Sequence, residues 1–103
     1  MVKLVKVLKT TDVPPGGGVA VPFAGRQIAV FNVDGKFYAI DDECTHAGGS
    51  LSEGPVQGKE VVCPWHGAVF NIETGEVLSA PASEKVRSYK IHIVGEEVQI
   101  EEP

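Results

Sequence analysis

Two short stretches, Cys44-Thr45-His46 and Cys63-Pro64-Trp65-His66, decide how the rest of this sequence is interpreted. They contain both cysteines of the chain and two of its three histidines. Each stretch offers one thiolate and one imidazole, spaced C-x-H in the first and C-x-x-H in the second. Residues two apart in an extended segment point the same way, so Cys44 and His46 are expected to reach one site from one side. The remaining sequence is predicted to be a scaffold that holds these two loops face to face.

The chain has the length of one domain, which we expect to span 1–103. It is acidic, with 9 Lys+Arg against 14 Asp+Glu and a formal net charge of −5. Nucleic acid and anionic membranes bind clustered positive charge, so neither is an expected partner. The acidity suits a protein that meets basic partner surfaces, and solubility alone explains it equally well.

The N-terminal stretch Met1-Val2-Lys3-Leu4 begins no long apolar run and carries no cleavage signal. No window of the sequence approaches the ~18–20 apolar residues of a transmembrane helix. These features predict a cytoplasmic protein, in which thiols stay reduced and cysteines more often bind metal or perform chemistry.

Short runs rich in β-branched and aromatic residues alternate with turn signals and predict an all-β sandwich or barrel-like fold. The strongest hairpin signal is Asp34-Gly35, a pair that accepts the positive φ angles of a type I′ turn. No helix and no internal repeat is predicted. The predicted strands are 2–8, 19–23, 26–33, 36–40, 59–62, 68–72, 76–78, 86–94 and 97–101.

Four kinds of site could use the Cys/His set. A structural zinc site has suitable ligands, but zinc motifs usually open with C-x₂₋₄-C. A Cys44–Cys63 disulfide leaves both histidines unexplained and is disfavoured in the cytosol. A Cys–His nucleophile needs only one of the pairs and a third orienting group. An iron–sulfur cluster in which two histidines replace two cysteines on one iron uses all four residues.

The sequence also resembles a known family. Cys44-Thr-His46 followed by Cys63-Pro-Trp-His66-Gly67 resembles the Rieske [2Fe–2S] motif, most closely that of the small ferredoxins of bacterial aromatic-ring dioxygenase systems. The similarity covers nearly the whole chain. The matching segments are Asn32-Val-Asp-Gly, Phe37-Tyr-Ala-Ile-Asp-Asp, Cys44-Thr-His, Ser50-Leu-Ser-Glu-Gly54, Cys63-Pro-Trp-His-Gly-Ala68, Phe70 and Thr74-Gly75.

The resemblance implies a Rieske fold, with an antiparallel β-sandwich or barrel-like base and a small cluster-binding subdomain at about 41–80 that carries two ligand loops. It implies one [2Fe–2S] cluster, with Cys44 and Cys63 on the buried iron and His46 and His66 on the outer iron. The imidazole edges would be the electron exit. Ser79-Ala-Pro81-Ala resembles the proline-bearing loop that covers the cluster.

Two departures from the Rieske domains of respiratory complexes are informative. Those domains carry an extra cysteine in each loop, whereas this chain has Gly48 or Gly49 and Trp65 there. They also donate hydroxyl groups to the cluster sulfurs from positions where this chain has Ala68 and Phe70. Because hydrogen bonds to sulfur stabilise the reduced state, their absence predicts a potential near the low end of the Rieske range, about −150 mV.

The implied function is that of a soluble, monomeric one-electron carrier between a flavin- and NAD(P)H-dependent reductase and a terminal ring-hydroxylating oxygenase. The alternative is a Rieske-type small subunit of a larger oxidoreductase, such as assimilatory nitrite reductase. The chain itself is not expected to be an enzyme. An oxygenase also needs a mononuclear iron site with two histidines and one carboxylate, and only His92 remains for it.

Three further features have weaker interpretations. His92 is expected to be a solvated histidine with no role, on the polar side of its strand. Trp65 is expected to pack beside the cluster, although a role as electron relay is an alternative. The acidic run Asp41-Asp42-Glu43 is interpreted either as a docking patch for basic partners or as a solvated turn.

Overall fold

The computed structural model describes residues 3–23, 25–43, 50–64, 67–79 and 85–101. Within these ranges the chain forms eleven strands, two 3₁₀ turns at Thr10–Asp12 and Leu51–Glu53, and no α-helix. The expected antiparallel all-β architecture is therefore confirmed. The strands are β1 Leu4–Lys9, β2 Gly18–Phe23, β3 Arg26–Val33, β4 Lys36–Asp41, β5 Val56–Gln57, β6 Glu60–Val62, β7 Val69–Asn71, β8 Val77–Ser79, β9 Ser88–Tyr89, β10 Ile91–Val94 and β11 Glu97–Glu101.

The strands form three antiparallel sheets, ordered β1-β11-β10, β2-β3-β4-β9 and β5-β6-β7-β8. Strand β3 lies in the middle sheet, and both of its faces are buried. Ile28 and Val30 pack into a core shared with β1 and β11, whereas Ala29 and Phe31 pack into a second core shared with β6 and β7. Because side chains alternate along a strand, β3 joins the two cores. The molecule is thus layered, with the β5–β8 sheet on one side of the middle sheet.

The predicted hairpin at Asp34-Gly35 is confirmed. Asp34 has φ 51° and Gly35 has φ 86°, and Val33 pairs with Lys36 across the turn. The resulting hairpin directs β4 towards the loop that contains Cys44. The sequence-based bounds of β3 and β11 agree with the structure, and most of the other strands differ by one or two residues at their ends.

The prediction of one continuous strand over 86–94 is wrong. Ser88–Tyr89 pairs with β4 in the middle sheet, whereas Ile91–Val94 pairs with β11 in the outer sheet. The chain changes sheets at Lys90, so its alternation continues while its pairing partner changes. The predicted first strand likewise begins later, at Leu4, and Val2 lies outside the described residues. A short strand that was not predicted, Val56–Gln57, forms the edge of the third sheet because it pairs with β6.

In the part of the chain that the structure describes, no helix is long and apolar enough to cross a membrane.

Candidate metal centre

The second predicted ligand loop connects β6 to β7. The two strands are held together by the pairs Val61–Phe70 and Val62–Val69. At the base of the loop the Cys63 N–H donates to the Ala68 carbonyl at 2.7 Å, and the Gly67 N–H donates to the Cys63 carbonyl at 3.0 Å. Gly67 has φ 77°, which favours glycine and allows the chain to turn back into β7. Cys63 is thereby fixed in a backbone-bonded position at the foot of its loop.

The first predicted ligand loop follows β4. Glu43 and Ser50 form an isolated antiparallel bridge, so the two ends of the segment 44–49 lie side by side. One residue further out, the Leu51 N–H donates to the Asp42 carbonyl at 2.7 Å. The 3₁₀ turn Leu51–Glu53 then begins, with Leu51 completely buried. Both loops are therefore closed at their bases by backbone hydrogen bonding.

The bases of the two loops also contact each other. Leu51 from the first loop and Cys63 and Ala68 from the second belong to one buried apolar cluster. The Val62 N–H donates to the Pro55 carbonyl at 3.1 Å. Gly54 lies so close to β6 that a Cβ atom there would overlap the Val62 carbonyl oxygen. The segment that leaves the first loop is therefore packed directly against the strand that enters the second.

Of the four predicted ligands, Cys63 is described by the structure. It is 1% exposed and is a free cysteine. Cys44, His46 and His66 lie outside the described residues, as do Gly48, Gly49, Trp65 and residues 80–82 of the predicted covering loop. Within the described ranges no group of three or more His, Cys, Asp or Glu side chains is placed to hold a metal ion.

The surroundings of Cys63 fit a thiolate ligand of a buried metal centre. A free, buried thiol is adjacent to a loop that the sequence supplies with a histidine, His66. The neighbouring side chains of Ala68 and Phe70 are completely buried and apolar. Neither can donate a hydroxyl hydrogen bond, as the low-potential prediction requires. The donor set of two thiolates and two imidazoles matches the mixed ligation of a Rieske cluster.

The interpretation of Asp41-Asp42-Glu43 as one exposed acidic patch is wrong for its first two residues. Asp42 is 7% exposed, and its carboxylate accepts hydrogen bonds from Ser50 Oγ at 2.6 Å and from the Ser52 N–H at 2.8 Å. The Asp42 carboxylate is therefore hydrogen-bonded inside the protein, and the carboxylate of Asp41 is also bonded within the protein, as described next. Only Glu43 remains exposed.

Asp41 joins β4 to the β9 segment. Its Oδ1 atom accepts a hydrogen bond from the Tyr89 hydroxyl at 2.6 Å, and its Oδ2 atom accepts one from the Arg87 N–H at 3.2 Å. Arg26 Nη1 lies 3.6 Å from the same carboxylate. Burial raises the pKa of the Tyr89 hydroxyl, and the hydrogen bond to Asp41 raises it further. This cluster fixes the end of β4 just before the first loop.

Sequence reasoning did not identify the role of Ser50 and Ser52. The available signal was a pair of short hydroxyl residues just after the Cys44 loop, since serine side chains readily bond to nearby chain groups. The expectation that His92 is exposed is confirmed. Its Nε2 atom lies 2.6 Å from Glu101 Oε2 on the outer sheet.

Comparison with known proteins identifies the family. Residues 3–90 match the model of the Rieske [2Fe-2S] domain. The biphenyl dioxygenase ferredoxin subunit of Pseudomonas sp. (strain KKS102) is 40% identical over 97 residues, covering 93% of this chain and 89% of the relative. The ferredoxin component of a naphthalene 1,2-dioxygenase system of Pseudomonas aeruginosa is 32% identical over 99 residues, covering 96% and 95% respectively.

A solved ferredoxin from Sphingomonas yanoikuyae B1 superposes with a TM-score of 0.92 at 31% identity, covering 98% of this chain and 100% of that one. The expected Rieske fold is thereby confirmed. The family match extends over both predicted ligand loops, and the free, buried Cys63 and the Cys/His donor set agree with it. The chain belongs to the family of Rieske [2Fe–2S] domains, and its cofactor is one Rieske-type cluster.

Proposed function

We propose that this protein is the ferredoxin of a multicomponent ring-hydroxylating oxygenase, a one-electron carrier that delivers electrons to the terminal oxygenase. The observation that carries the proposal is the 40% identity to a biphenyl dioxygenase ferredoxin subunit, which extends over 89% of that relative. The chain therefore corresponds to nearly the whole of a carrier protein. It also superposes, at 35% identity and a TM-score of 0.88, on a structure described as a complex of reduced oxygenase and oxidized ferredoxin in carbazole 1,9a-dioxygenase.

The protein is accordingly an electron-transfer component, and catalysis belongs to its oxygenase partner. A terminal oxygenase of carbazole 1,9a-dioxygenase from Novosphingobium sp. KA1 shares the fold over 94% of this chain, but that match spans only 29% of the oxygenase. The rest of the oxygenase has no counterpart here. A nitrite reductase small subunit shares the fold with a TM-score of 0.83 at 22% identity, which supports a common fold and no common role.

The proposed ligands are Cys44, His46, Cys63 and His66. When bound, the cluster accepts and releases one electron at a time. The buried thiolate of Cys63 would hold the inner iron together with Cys44, and the two imidazoles would hold the outer iron. Backbone hydrogen bonding at the foot of each loop fixes the described residues on either side of these positions, which supports a preformed site.

The electron donor is proposed to be a flavin-dependent, NAD(P)H-oxidising reductase, and the protein is proposed to act as a monomer in the cytoplasm. We further propose a single domain over 1–103 with the cluster-binding part at about 41–80. The separate β5–β8 sheet, built from Val56–Ser79, supports this division. Size-exclusion chromatography with light scattering tests the monomer, since a dimer would double the mass of 10.9 kDa.

The ligand proposal is tested by iron and sulfide analysis with EPR on anaerobically reconstituted protein. The wild type is expected to bind two irons and two sulfides and to give a mixed Cys/His signal after reduction. Cys63→Ser and His66→Gln should each abolish that signal. His92→Gln is the matched control, because His92 is the remaining histidine and is exposed on the outer sheet. A full signal in Cys63→Ser would refute the ligand set.

The carrier role is tested with a purified aromatic-ring oxygenase and its reductase. Adding the loaded wild-type protein should start product formation, whereas His66→Gln should not. If loaded protein is reduced by the reductase but never reoxidised by any tested oxygenase, the oxygenase assignment fails. Copurification with a large nitrite reductase subunit would instead support the alternative role as a small subunit of that enzyme.

A further inference from the structure

The buried carboxylate of Asp42 holds the chain in place on both sides of the first ligand loop. The Asp42 N–H donates to the Gln27 carbonyl at 3.1 Å, which ties the residue to β3. Its own carbonyl accepts the Leu51 N–H from the far side of the loop. Asp42 therefore has a fixed backbone two residues before the proposed ligand Cys44.

The side chain of Asp42 adds a second pair of bonds to the same far side. Oδ2 accepts the Ser50 hydroxyl at 2.6 Å, and Oδ1 accepts the Ser52 N–H at 2.8 Å. The two serine hydroxyl oxygens lie 3.1 Å apart, so one hydroxyl can also bond to the other. Bonds to a charged acceptor are shorter and stronger than neutral ones. Both oxygens of the carboxylate are therefore used to hold the end of the loop to its beginning.

No lysine or arginine side chain neutralises the carboxylate of Asp42. None of the Lys and Arg side chains, all of which lie in the described ranges, forms an ion pair with Asp42. Its hydrogen-bond partners are one hydroxyl, that of Ser50, and one backbone N–H, that of Ser52, and both are uncharged. A fixed negative charge of this kind opposes the addition of an electron nearby.

We propose that Asp42 is a positioning residue of the cluster site, whose carboxylate fastens the Cys44–His46 loop and whose charge lowers the reduction potential. The proposal rests on the ligand set proposed above. A unit charge at roughly 10 Å and an effective dielectric of about 20 changes an equilibrium on the order of tenfold. For a one-electron couple a tenfold change equals about 59 mV.

Two substitutions separate the effect of the Asp42 side-chain hydrogen bonds from the effect of its negative charge. Asp42→Asn keeps the shape: its oxygen can accept from the Ser52 N–H, and its amide can donate to the Ser50 hydroxyl, which in turn can donate to Ser52. Asp42→Ala removes every side-chain bond. The measurements are the rate at which a chelator removes iron from the loaded protein and the midpoint of an EPR-monitored titration.

We expect Asp42→Ala to lose iron about tenfold faster than the wild type. Asp42→Asn should lose iron at nearly the wild-type rate and have a midpoint raised by about 59 mV. Glu43→Gln is the matched control, because Glu43 adjoins Cys44 but is exposed, so water screens its charge. Its midpoint and iron loss should both stay within error of the wild type.

Iron loss from folded Asp42→Ala at the wild-type rate would overturn the fastening, and an unchanged midpoint in Asp42→Asn would overturn the charge effect. If Asp42→Ala does not fold, Ser50→Ala decides the first point. It removes one of the two side-chain bonds and should give an intermediate rate of iron loss. Wild-type protein that takes up no iron and sulfide would instead refute the proposed ligand set. A normally loaded wild type whose rate of iron loss and midpoint are unchanged in every variant would refute this inference alone.

Discussion

Gly54 offers a sharp test of whether the segment that follows the first ligand loop is packed against the strand that precedes the second. Its φ of −79° and ψ of 154° are extended values that alanine adopts without strain. The Cβ atom of an alanine would nevertheless overlap the Val62 carbonyl oxygen, which belongs to the strand leading into Cys63. Gly54→Ala therefore changes one feature, the close approach of two backbone segments.

The expected change in the free energy of unfolding is the sum of one stabilising and two destabilising contributions. Replacing glycine by alanine at a compatible φ stabilises a protein by about 0.4–1 kcal/mol, through the unfolded chain. Forcing an extra carbon into packed structure costs about 1–3 kcal/mol. Moving the segment also weakens the hydrogen bond between the Val62 N–H and the Pro55 carbonyl, worth about 1 kcal/mol. The net expectation is a loss of about 2 kcal/mol in the free energy of unfolding, or roughly 8–16 °C in Tm.

The assay is urea unfolding of the metal-free protein followed by circular dichroism, together with chelator-induced iron loss from the loaded form. Gly54→Ala should lower the unfolding midpoint and speed iron loss, since Val62 directly precedes Cys63. Gly58→Ala is the control: Gly58 has φ 59° and open space around its Cα, so it reports backbone strain of about 1–2 kcal/mol. Its iron loss should be unchanged. A Gly54→Ala protein as stable as the wild type would refute the packing argument.

Three further outcomes are expected. Tyr89→Phe should lower the free energy of unfolding by about 1.5 kcal/mol at pH 7, because it removes a hydrogen bond to the carboxylate of Asp41. Since the folded-state pKa of Tyr89 is raised, its contribution is complete below the unfolded value of about 10 and is lost as the pH rises through the folded pKa. The free energies of unfolding of the two proteins, measured from pH 8 to 12, should therefore converge as the pH rises. A difference between them that stays constant over this range would contradict the prediction. Ala68→Ser should raise the midpoint potential of the loaded protein above the expected value of about −150 mV, by supplying a hydroxyl group beside Cys63. An EPR-monitored titration that gives equal midpoints would count against the missing-hydroxyl argument. Leu51→Ala should lower the free energy of urea unfolding by about 2–5 kcal/mol, because Leu51 is completely buried between the two loop bases. A loss below about 1 kcal/mol would mean that the surrounding side chains close the cavity, and it would contradict tight packing at this position.

Hydrophobic alternation and turn signals in the sequence predicted the strands well where the whole strand stays within one sheet. The bounds 26–33 and 97–101 agree with β3 and β11, and the Asp34-Gly35 turn has the positive φ angles that its sequence requires. They failed over 86–94, because alternation along a chain does not change when the chain leaves one sheet for another at Lys90. They also missed Val56–Gln57, whose two residues form a strand only through pairing with β6.

Within the site, the spacing of Cys44, His46, Cys63 and His66 identified the family without any structure. Ligand chemistry depends on residue type and short spacing, both of which are written directly in the sequence. The acidic run before Cys44 shows the opposite case. Its composition suggested an exposed patch, whereas in the folded protein the Asp42 carboxylate accepts hydrogen bonds from Ser50 and Ser52.

The sequence by itself therefore determined the all-β class, the central hairpin and the family, and it supplied the proposed donor set. Tertiary structure alone decided which acidic side chains are exposed, which glycines are required by close packing and which strand joins the two cores. The physical reason is that turns and ligand motifs act over a few residues, whereas contacts such as that between Tyr89 and Asp41 join positions 48 apart. Such contacts depend on where three sheets meet, and no short stretch of the sequence contains that information.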